Sequence, residues 1–575
     1  MINEEIAQIF EKMSRVLAFK GADRFRVLAY DRAATSLRDF EGDLAATARA
    51  GKLDDIPGIG KDLSEMIEEY IKTHRVRRFE RECRGIPDGL IDLMNVPGLG
   101  PKTLAQLYKK FHIQGFEDLK RTLEGGALLK VPGFGEKKVE NLRRGVGLWL
   151  SSKQRMPLGI ALPLAEELLE QVRTIELVAQ ADVAGSIRRR RETIGDMDIL
   201  ITSPDSARAL RELTRLPLIK KVLALGDTKA TVLLANRIQV DIRAVAPESY
   251  GAALQYFTGS KQHNVHLRTI ARQKKLKFNE YGVFRGNKRI CGASEEDVYK
   301  TLNMPVPPAE LREDKGEIEA ALNGELPKLI TLEDLRGDLH AHTNYSDGRS
   351  TIEEMVVRAA ELGYEYIALT DHSPAARIAS GLDLDRLEQK IKELEEVRKR
   401  RSHLKPRILL GAEVDILADG RLDYPENVLR RFEVVTASVH AAFKQTRDRM
   451  TGRLMDAILN PYVHILGHPT TRLIGSREPV EFDFDKVVRA AADCGVALEV
   501  NASPVRLDLT DTMARAAVEA GAALAINSDA HSASQLELIR FGVYQARRGW
   551  VEPRNVVNTW SWGKLSRWLG ARRKR

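Results

Sequence analysis

Two aspartates, Asp196 and Asp198, stand in a short apolar segment, where their spacing could let them bind one cation. Met197 and the apolar residues after Asp198 predict a strand, and strand side chains alternate faces, so both carboxylates point the same way. Two carboxylates on one face repel each other unless a cation joins them. Just upstream, the Gly185-Ser186 turn with its flanking arginines offers N–H and guanidinium groups to an anion such as a triphosphate. A Mg²⁺ ion held beside such a turn would support nucleotidyl transfer.

That chemistry needs a third carboxylate from a neighbouring strand, and residues 238–243 supply one. Asp241 lies there within an alternating apolar run that predicts a strand. The alternative is that Asp196 and Asp198 cap a strand at the protein surface, where such a pair is usually solvated. The phosphate-binding turn and the third carboxylate together favour the catalytic interpretation.

Residues 183–201 and 238–243 resemble the palm of family X DNA polymerases, the group of DNA polymerase beta, and residues 256–260 and 279–281 resemble the thumb of that family. The resemblance implies that two Mg²⁺ ions are bound by Asp196, Asp198 and Asp241. It implies that the triphosphate is held by Gly185, Ser186, Arg189 and Gly195. It further implies contacts to the sugar from Tyr256, Phe257 and Gly259, and contacts to the base or template from Asn264 and Arg268. The alternative for Tyr256 and Phe257 is ordinary core packing.

The composition sets limits on the class of protein. The 575 residues are too many for one hydrophobic core, so we expect several domains. Hydrophobic residues make up 43% and charged residues 30% of the chain, and no apolar run is long enough to cross a membrane. Three cysteines without metal-site spacing favour a reducing cytoplasm. The net charge of +9 suits a phosphate polymer as partner. The basic tail at 572–575 is expected to be a solvated end, with DNA contact as the alternative.

A Pro-Gly-x-Gly pattern occurs three times in the first quarter of the chain, at residues 56–61, 96–101 and 131–136, and a helical stretch follows each copy. Glycines permit a tight turn, and the next helix begins with unpaired N–H groups that suit a phosphate oxygen. One copy would be a common helix-linking turn, whereas three copies resemble helix-hairpin-helix elements, which grip DNA without reading bases. The contacts would come from Gly58, Gly60, Gly98, Gly100, Gly133 and Gly135. The resemblance also implies a monovalent cation on the carbonyls of Ile56 and Ile59 and of Val96 and Leu99.

One position departs from the pattern of the polymerase beta family. Members with 5′-deoxyribose phosphate lyase activity carry a Schiff-base lysine on the helix after the first hairpin, and Met66 stands there in this chain. A thioether cannot form an imine. Nothing in the sequence favours Lys61 or Lys72 as a substitute. The sequence therefore argues against lyase activity.

The last 240 residues or so have a different organisation. Residues 303–335 contain a Pro-rich extended stretch and an acidic helix, and we interpret them as a linker. Beyond them, apolar strand-like runs alternate with helical stretches such as 351–362 and 383–400, which predicts a parallel, barrel-like sheet. The seven predicted strands lie near 335–342, 365–372, 407–415, 433–440, 462–469, 496–502 and 522–531.

Metal-binding residue types gather at the ends of these predicted strands, where the working residues of such a barrel lie. Six of the seven predicted strands end in or near a residue of this kind. The exception is the sixth predicted strand, which ends near Glu499 and Asn501 and has no clear ligand. A single histidine near Gly or Pro at a strand end is usually unremarkable, but six of the chain's 12 histidines occupy these positions. The set could hold about three divalent ions with open water positions. Its members are His340, His342, Asp347, His372, Glu413, His440, His468, Asp529 and His531.

This pattern resembles the PHP domain, which is named for polymerase and histidinol phosphatase relatives. The resemblance implies three metals: one on His340, His342, Glu413 and Asp529, a second on Glu413, His440 and His468, and a third on Asp347, His372 and His531. Glu413 would bridge the first two. The implied chemistry is attack of metal-activated hydroxide on a phosphate ester, and histidine-rich sites suit Zn²⁺ or Mn²⁺ over Mg²⁺.

Together the resemblances predict a multidomain α/β protein, with helical helix-hairpin-helix domains, a nucleotidyltransferase palm and thumb, and a distorted (β/α)7 PHP barrel. The predicted domains are 1–86, fingers 87–154, palm 155–245, thumb 246–315, linker 316–335 and PHP 336–575. We expect a cytoplasmic, monomeric gap-filling repair polymerase that uses dNTPs on gapped or nicked DNA and trims 3′ ends. Relatives also have abasic-site endonuclease and 3′-phosphatase activities. Three alternative interpretations remain: a PHP domain that is only structural, an inactive polymerase half that tethers a DNA phosphoesterase, and a small-molecule phosphatase.

Overall fold

The computed structural model describes residues 2–38, 40, 44–94, 96, 99–125, 127–131, 134–153, 155–234 and 238–572. The chain divides into two compact units, residues 1–154 and 155–575. This single boundary coincides with the predicted start of the palm, while the finer domain boundaries stay predictions.

The first unit is helical in its described part. Apolar side chains spaced three and four residues apart bury one face of each main helix, as Phe10, Met13 and Leu17 do on the first. A second core gathers Leu104, Leu107 and neighbouring residues. The helices are α1 Ile2–Lys20, α2 Arg24–Arg38, α3 Leu44–Arg49, α4 Lys61–Thr73, α5 Arg77–Cys83, α6 Asp88–Leu93, α7 Pro101–Phe111, α8 Phe116–Glu124 and α9 Glu136–Lys153.

The described residues of the three repeated turns share one backbone hydrogen bond. In each, the residue before the last glycine donates its N–H to the carbonyl three positions earlier, at 3.0 Å: Ile59 to Ile56, Leu99 to Val96 and Phe134 to Val131. Gly60, Gly100 and Gly135 are exposed just before α4, α7 and α9, and a Cβ on any of them would meet nothing within 4 Å. Gly58 has a φ of +81°, which favours glycine. Gly98 and Gly133 lie outside the described residues.

The second unit begins with a five-stranded sheet of strand order β2-β4-β7-β6-β5, in which β4 and β7 are parallel and the other pairs antiparallel. Met197, Ile199, Val240 and Ile242 bury one face of these strands against α10. The elements of this palm are β1 Met156–Pro157, α10 Leu158–Arg173, β2 Gln180–Val183, α11 Gly185–Arg188, β3 Thr193–Ile194, β4 Asp196–Thr202, α12 Ser206–Leu213, β5 Ile219–Leu225, β6 Lys229–Leu234 and β7 Gln239–Val245.

A smaller layer of helices and a three-stranded antiparallel sheet, order β10-β9-β8, follows the palm. Its elements are α13 Tyr250–Thr258, α14 Lys261–Gln273, β8 Lys277–Asn279, β9 Gly282–Arg285, β10 Lys288–Cys291, α15 Glu295–Thr301 and α16 Glu317–Asn323. The acidic helix of the predicted linker is α16, and its Glu317 is buried 2.6 Å from Nδ1 of His263. The start of the linker therefore packs on the thumb.

The remaining chain forms a seven-stranded parallel sheet in sequence order, as the alternation of apolar runs predicts. Backbone bonds from Asp529 to His340 and from His342 to Ala530 nearly close it into a barrel. The predicted strand at 462–469 is shorter than expected, because only two of its residues pair. The strands are β11 Gly337–Ala341, β12 Tyr366–Leu369, β13 Arg407–Asp415, β14 Val434–Ser438, β15 Ile465–Leu466, β16 Ala497–Asn501 and β17 Leu524–Asn527.

Helices cover the outside of the barrel and one of its ends. The helices are α17 Ile352–Glu361, α18 Leu384–Arg400, α19 Glu426–Leu429, α20 Arg447–Leu459, α21 Phe484–Cys494, α22 Asp511–Glu519, α23 Ile539–Arg548 and α24 Trp562–Arg572. Leu565 and Leu569 of α24 pack with Tyr366, Val434 and Ala497, the first residues of three strands. The last helix therefore closes the end opposite the predicted ligands.

The expectation of a solvated basic tail is wrong for its first residue. Arg572 is only 5% exposed, and its guanidinium donates to the carbonyls of Val463, Cys494, Ile458 and Asn460. A charged donor of this kind satisfies carbonyls that would otherwise lack partners. The other tail residues lie outside the described part of the chain.

Palm and barrel share one hydrophobic core. Leu507 and Phe541 of the barrel are buried in the same cluster as the palm residues Leu158 and Leu162. Ion pairs flank this core, for example Arg472 with Glu192 at 2.8 Å and Arg540 with Glu166 at 3.2 Å. None of the described helices is long and apolar enough to span a membrane.

Two candidate active sites

The palm aspartates occupy neighbouring parallel strands in a register that aligns them. Asp198 on β4 pairs directly with Asp241 on β7, and Asp196 pairs with Gln239. Paired residues of adjacent strands project to the same face, and residues two apart on a strand do so too. The three carboxylates therefore share one face of the sheet, as the alternating pattern predicts.

These carboxylates differ in their charge environment. Burial and the charges of Asp196 and Asp241 raise the pKa of Asp198 to about 6. Burial opposes ionisation of Asp241 as well, but hydrogen bonds from Lys229 (2.7 Å) and Thr231 (2.8 Å) hold its pKa below the ordinary value. A carboxyl whose pKa is raised by its neighbours is a site where a divalent cation is strongly favoured.

The palm carboxylates are spaced more widely than the barrel ligands. Among the described residues, groups of three or more ligand atoms that all lie within 4.8 Å of one another occur only in the barrel. Asp241 pairs with Lys229 at 2.7 Å. Convergence of Asp196, Asp198 and Asp241 on two Mg²⁺ ions stays a prediction.

Gly185 lets the predicted phosphate turn approach the carboxylates. Its φ is +59°, and a Cβ there would lie 2.3 Å from Oδ2 of Asp198. Ser186 follows within the short helix α11, and Gly195 directly precedes β4. The structure thus places Gly185, Ser186 and Gly195 around the start of β4. Only glycine fits at position 185 without moving the carboxylate of Asp198.

The two arginines after this turn are engaged within the protein. Arg188 forms two hydrogen bonds with Glu295, at 2.9 and 2.6 Å. Arg189 pairs with Glu313 at 3.1 Å and donates to the carbonyl of Thr258. The contact of Arg189 with a triphosphate therefore stays a prediction, because it requires an exchange of partners.

The predicted thumb residues form a connected group. The rings of Tyr256 and Phe257 lie 5.3 Å apart, edge to face, and the Arg243 guanidinium lies 4.5 Å above the Phe257 ring. Both rings are partly exposed, and Phe257 packs against the cluster that contains Ala184 and Leu200. Their contact with a sugar stays a prediction. Gly259 has a φ of +71°, and a Cβ there would lie 3.1 Å from the Arg189 guanidinium.

The predicted base-side residues are held by their neighbours in the thumb. Asn264 is buried, donates to the Tyr256 carbonyl at 2.7 Å and accepts from Gln255 at 2.9 Å. Arg268 donates to the Asn264 carbonyl at 3.2 Å. The Asn264 amide therefore fixes the segment that carries Tyr256, and its contact with a base stays a prediction.

Glu413 lies at the centre of the barrel site and is buried. Its Oε1 lies 2.9 Å from Nε2 of His468 and 3.3 Å from Nε2 of His440. Its Oε2 lies within 3.6 Å of three more imidazoles, those of His372 (2.9 Å), His340 (3.4 Å) and His342 (3.6 Å). One carboxylate thus joins five imidazoles that lie at or just after the ends of four strands, β11, β12, β14 and β15.

Two further carboxylates complete the cluster. Oδ1 of Asp347 lies 3.4 Å from Nε2 of His531 and 3.6 Å from Nε2 of His372. Oδ1 of Asp529 lies 3.2 Å from Nε2 of His342 and 3.8 Å from Nε2 of His340. The structure therefore brings together all nine ligands that the sequence singles out. Their partition among three ions stays a prediction, since His342 and His372 each border two groups.

The barrel site fits divalent cations. Two ligand atoms that each lie about 2.1 Å from one ion, at tetrahedral angles, are about 3.4 Å apart, close to the spacings in this cluster. Ring nitrogens of His340, His342 and His372 are buried without hydrogen-bond partners in the described chain. Buried unpaired nitrogens are costly unless a ligand uses their lone pairs.

The charges of the barrel site also suit metals. Burial and the charges of His531 and His372 lower the pKa of His342 to about 4, which keeps that imidazole neutral and able to bind a metal. Despite burial, Glu413 and Asp415 raise the pKa of His440 to about 9, so a metal that binds this imidazole must displace a proton. Burial opposes ionisation of Glu413, but His440, His340 and His372 hold its pKa well below the ordinary value. The site is thus built to keep its carboxylates ionised.

Sequence reasoning missed a carboxylate that holds two of the ligands. Glu499, on the strand that seemed to lack a ligand, accepts from Nδ1 of His340 and from Asn527, at 2.7 and 2.8 Å. Its other oxygen accepts from the His468 N–H and from Asn501, at 2.7 and 3.1 Å. A buried Glu in an apolar strand was the signal that could have found it.

Comparisons with known proteins match the helical unit, the palm, the thumb and the barrel. Five family profiles match the chain: a helix-hairpin-helix domain over 1–76, a SAM-like helix-hairpin-helix tandem over 90–146, the DNA polymerase beta palm over 155–268, the DNA polymerase beta thumb over 253–313 and the PHP domain over 338–503. The DNA polymerase/3′-5′ exonuclease PolX of Bacillus subtilis (strain 168) is 37% identical over 562 residues, 97% of each chain.

Two other relatives match parts of the chain. A probable phosphatase of Thermoanaerobacter sp. (strain X514) is 36% identical over 176 residues, 29% of this chain and 64% of that protein. Rat DNA polymerase lambda is 26% identical over 341 residues, 53% of this chain and 55% of its own.

Proposed function

This chain belongs to the family X DNA polymerases that carry a PHP domain, which makes it a DNA polymerase and 3′–5′ exonuclease, and we propose that it fills short gaps in DNA during base-excision-type repair. The observation that carries this proposal is the pairing of Asp198 with Asp241 on parallel strands beside the Gly185 turn. A primer 3′-OH and a triphosphate need acidic groups and phosphate-binding backbone at one place.

In the polymerase site, Asp196, Asp198 and Asp241 would hold two Mg²⁺ ions, which supply charge neutralisation for the triphosphate and a lowered pKa for the primer hydroxyl. In this proposal Asp241 is the carboxylate nearest the primer hydroxyl. Hydrogen bonds from Lys229 and Thr231 favour its ionised form. The Gly185-Ser186 turn and Gly195 would receive the triphosphate. Tyr256 and Phe257 of the thumb would contact the sugar.

In the barrel site, the nine ligands would hold up to three Zn²⁺ or Mn²⁺ ions, which supply an activated hydroxide for attack on the phosphodiester at a 3′ end. Glu413 keeps the ligands together, and Glu499 orients His340 and His468. Abasic-site cleavage and 3′-phosphate removal would use the same attack on other phosphate esters.

We propose gapped or nicked duplex DNA as the partner, dNTPs as substrates and a monomeric enzyme. Gly60, Gly100 and Gly135 are exposed directly before α4, α7 and α9, and the first N–H groups of these helices would suit phosphate oxygens. A monovalent cation on the carbonyls of the first two hairpins belongs to the same proposal. Three such hairpins favour DNA over a small phosphate ester.

A gapped-duplex assay on four variants tests whether the palm carries out polymerisation and the barrel carries out degradation. We expect Asp198→Ala to abolish gap filling and keep 3′–5′ degradation, and His340→Ala to do the reverse. The exposed residues Asp227 and His403 provide matched alanine controls that should retain both activities. Comparing Mg²⁺ with Mn²⁺ and Zn²⁺ assigns the ions to the sites.

The other outcomes identify the rival functions. Degradation that survives His340→Ala would make the PHP domain a structural module, and extension that survives Asp198→Ala would contradict the palm assignment. Hydrolysis of a simple phosphate monoester without action on DNA ends would favour a small-molecule phosphatase.

A further inference from the structure

The loop at 502–510 carries an arginine to the edge of the barrel site. Nε of Arg506 lies 3.8 Å from Oδ2 of Asp529, and the Arg506 side chain is 17% exposed. Its Nη1 atom is buried and makes no hydrogen bond to any described residue. A guanidinium stays charged and presents five donors, so a buried unpaired nitrogen is costly unless a ligand accepts from it.

Positive charge accumulates around this position. Arg477 donates to the carbonyl of Thr471 at 2.7 Å, and burial together with the charge of Arg506 lowers the pKa of Arg477 to about 10. The neighbouring cluster is built to hold divalent cations, which add further positive charge. Asp529 and Asp508 offset part of this charge. A further anion would balance the remainder once divalent cations are bound.

The palm holds this loop in place. Pro504 packs so closely on α10 that a Cβ on Gly159 would lie 2.1 Å from its Cβ. Leu507 is buried in the palm core, and its carbonyl accepts from Arg472 at 2.6 Å. Arg472 in turn pairs with Glu192 of the palm at 2.8 Å. Two of the neighbours of Arg506 along the chain are therefore fixed by the polymerase half.

We propose that Arg506 binds the backbone phosphate of a DNA 3′ end at the barrel site, and that the palm positions it for this contact. The inference rests on the proposed exonuclease function of that site. A phosphodiester oxygen would accept from the unpaired Nη1 and balance the charge of the arginine and the metals. The palm thereby contributes to degradation without contacting the metals.

The first experiment separates substrate binding from metal binding. We expect Arg506→Gln to raise the KM for degradation of an oligothymidylate about 10- to 100-fold, as for the loss of a buried charge-assisted contact. Arg506→Lys should recover part of this loss, because it restores charge without the planar donor pair. Metal content per protein and gap filling should stay at the wild-type level. Arg489→Gln, at an exposed arginine on the barrel helix α21, is the matched control.

A direct binding readout does not depend on turnover. Thymidine 5′-monophosphate should bind wild-type protein and the Arg489→Gln variant equally, and bind Arg506→Gln at least about 10-fold more weakly. Loss of metal content in Arg506→Gln would instead assign Arg506 to balancing the charges of Asp529 and Asp508. An unchanged KM and unchanged nucleotide binding would overturn the proposal. A wild-type protein without exonuclease activity would contradict the proposed function, while the binding measurement would still test the phosphate contact.

The second experiment tests the contribution of the palm. Gly159→Ala must displace Pro504, and we expect it to raise the KM for degradation several-fold while gap filling and metal content are retained. Gly452→Ala is the control, since a Cβ at that helical position meets nothing within 4 Å. Equal degradation kinetics in both variants would refute positioning by the palm. Added metal should not restore the KM of Gly159→Ala, because we expect only the loop to have moved.

Discussion

Nδ1 of His340 lies 2.7 Å from Oε1 of Glu499, deep in the barrel and away from solvent. The carboxylate fixes the ring so that the opposite nitrogen, Nε2, faces Glu413 and Asp529. Outer carboxylates of this kind orient a metal-binding imidazole and raise its basicity. Glu499 is therefore as much a part of the site as the ligands, because it would orient His340 and His468 for the metals.

The Glu499→Gln variant tests this relationship. Its amide cannot accept from all four donors around the carboxylate, so we expect metal affinity to fall about 10- to 100-fold. Competition with a chromogenic chelator measures the change, and exonuclease activity should recover at high metal concentration. Glu481→Gln on the surface serves as the control. Wild-type affinity in Glu499→Gln would mean that the ring orientation does not depend on this contact.

Asp198 should make the metal-free protein less stable as the pH rises. Its pKa is about 6 in the fold against 3.8 ordinarily, so the stability from its protonation is present below about pH 4 and lost as pH rises through 6. In EDTA at pH 7.5, Asp198→Asn should stabilise the palm by up to about 3 kcal/mol, with a smaller gain at pH 5. Thermal unfolding at the two pH values measures this, with Asp227→Asn as control. An equal gain at both values would contradict the cause we assign.

Gly185→Ala should disable the polymerase without affecting the exonuclease. The new Cβ would lie 2.3 Å from Oδ2 of Asp198, and the φ of +59° strains any other residue. Moving that carboxylate by about 1 Å can cost about 100-fold in rate. Single-turnover extension measures the loss. Gly226→Ala, whose Cβ would make only an ordinary 3.6 Å contact, should extend primers at the wild-type rate.

The first helical unit should not form a Schiff base with 5′-deoxyribose phosphate. Met66 is buried, and its sulfur lies 3.7 Å from the Tyr30 hydroxyl, so the residue serves the core. Lys61 and Lys72 are exposed, and Lys72 pairs with Glu68 at 3.1 Å. Borohydride treatment with an incised abasic substrate should trap no covalent adduct. An adduct that disappears in Lys61→Ala or Lys72→Ala would locate an unexpected lyase residue.

Much of the barrel site could be predicted because its ligands follow strand ends, where local alternation and spacing are informative. His340 and His342 illustrate this, since a two-residue period alone places them together. The role of Glu499 could not be predicted, because it depends on contacts with His340, 159 positions earlier in the chain, and with His468, 31 positions earlier. Arg572 shows the same limit: a basic tail looks solvated until the strand-end carbonyls it reaches are known.

In the palm, the shared face of Asp198 and Asp241 followed from the alternating patterns, but their register did not. Strand β7 reaches β4 only after the β5–β6 hairpin, and the pairing is fixed by the burial of Met197 and Val240. The partners of Arg189 were equally hidden, since Glu313 lies 124 positions away. Long-range pairs of this kind are set by tertiary packing.

The burial of Leu507 and Phe541 among palm side chains has a thermodynamic consequence. Two domains joined only by a flexible linker unfold independently, whereas domains that share a hydrophobic core unfold in a single transition. Heating this enzyme should therefore produce one calorimetric peak for polymerase core and barrel together. A substitution as remote as Leu162→Ala should lower the temperature at which the nuclease half is lost.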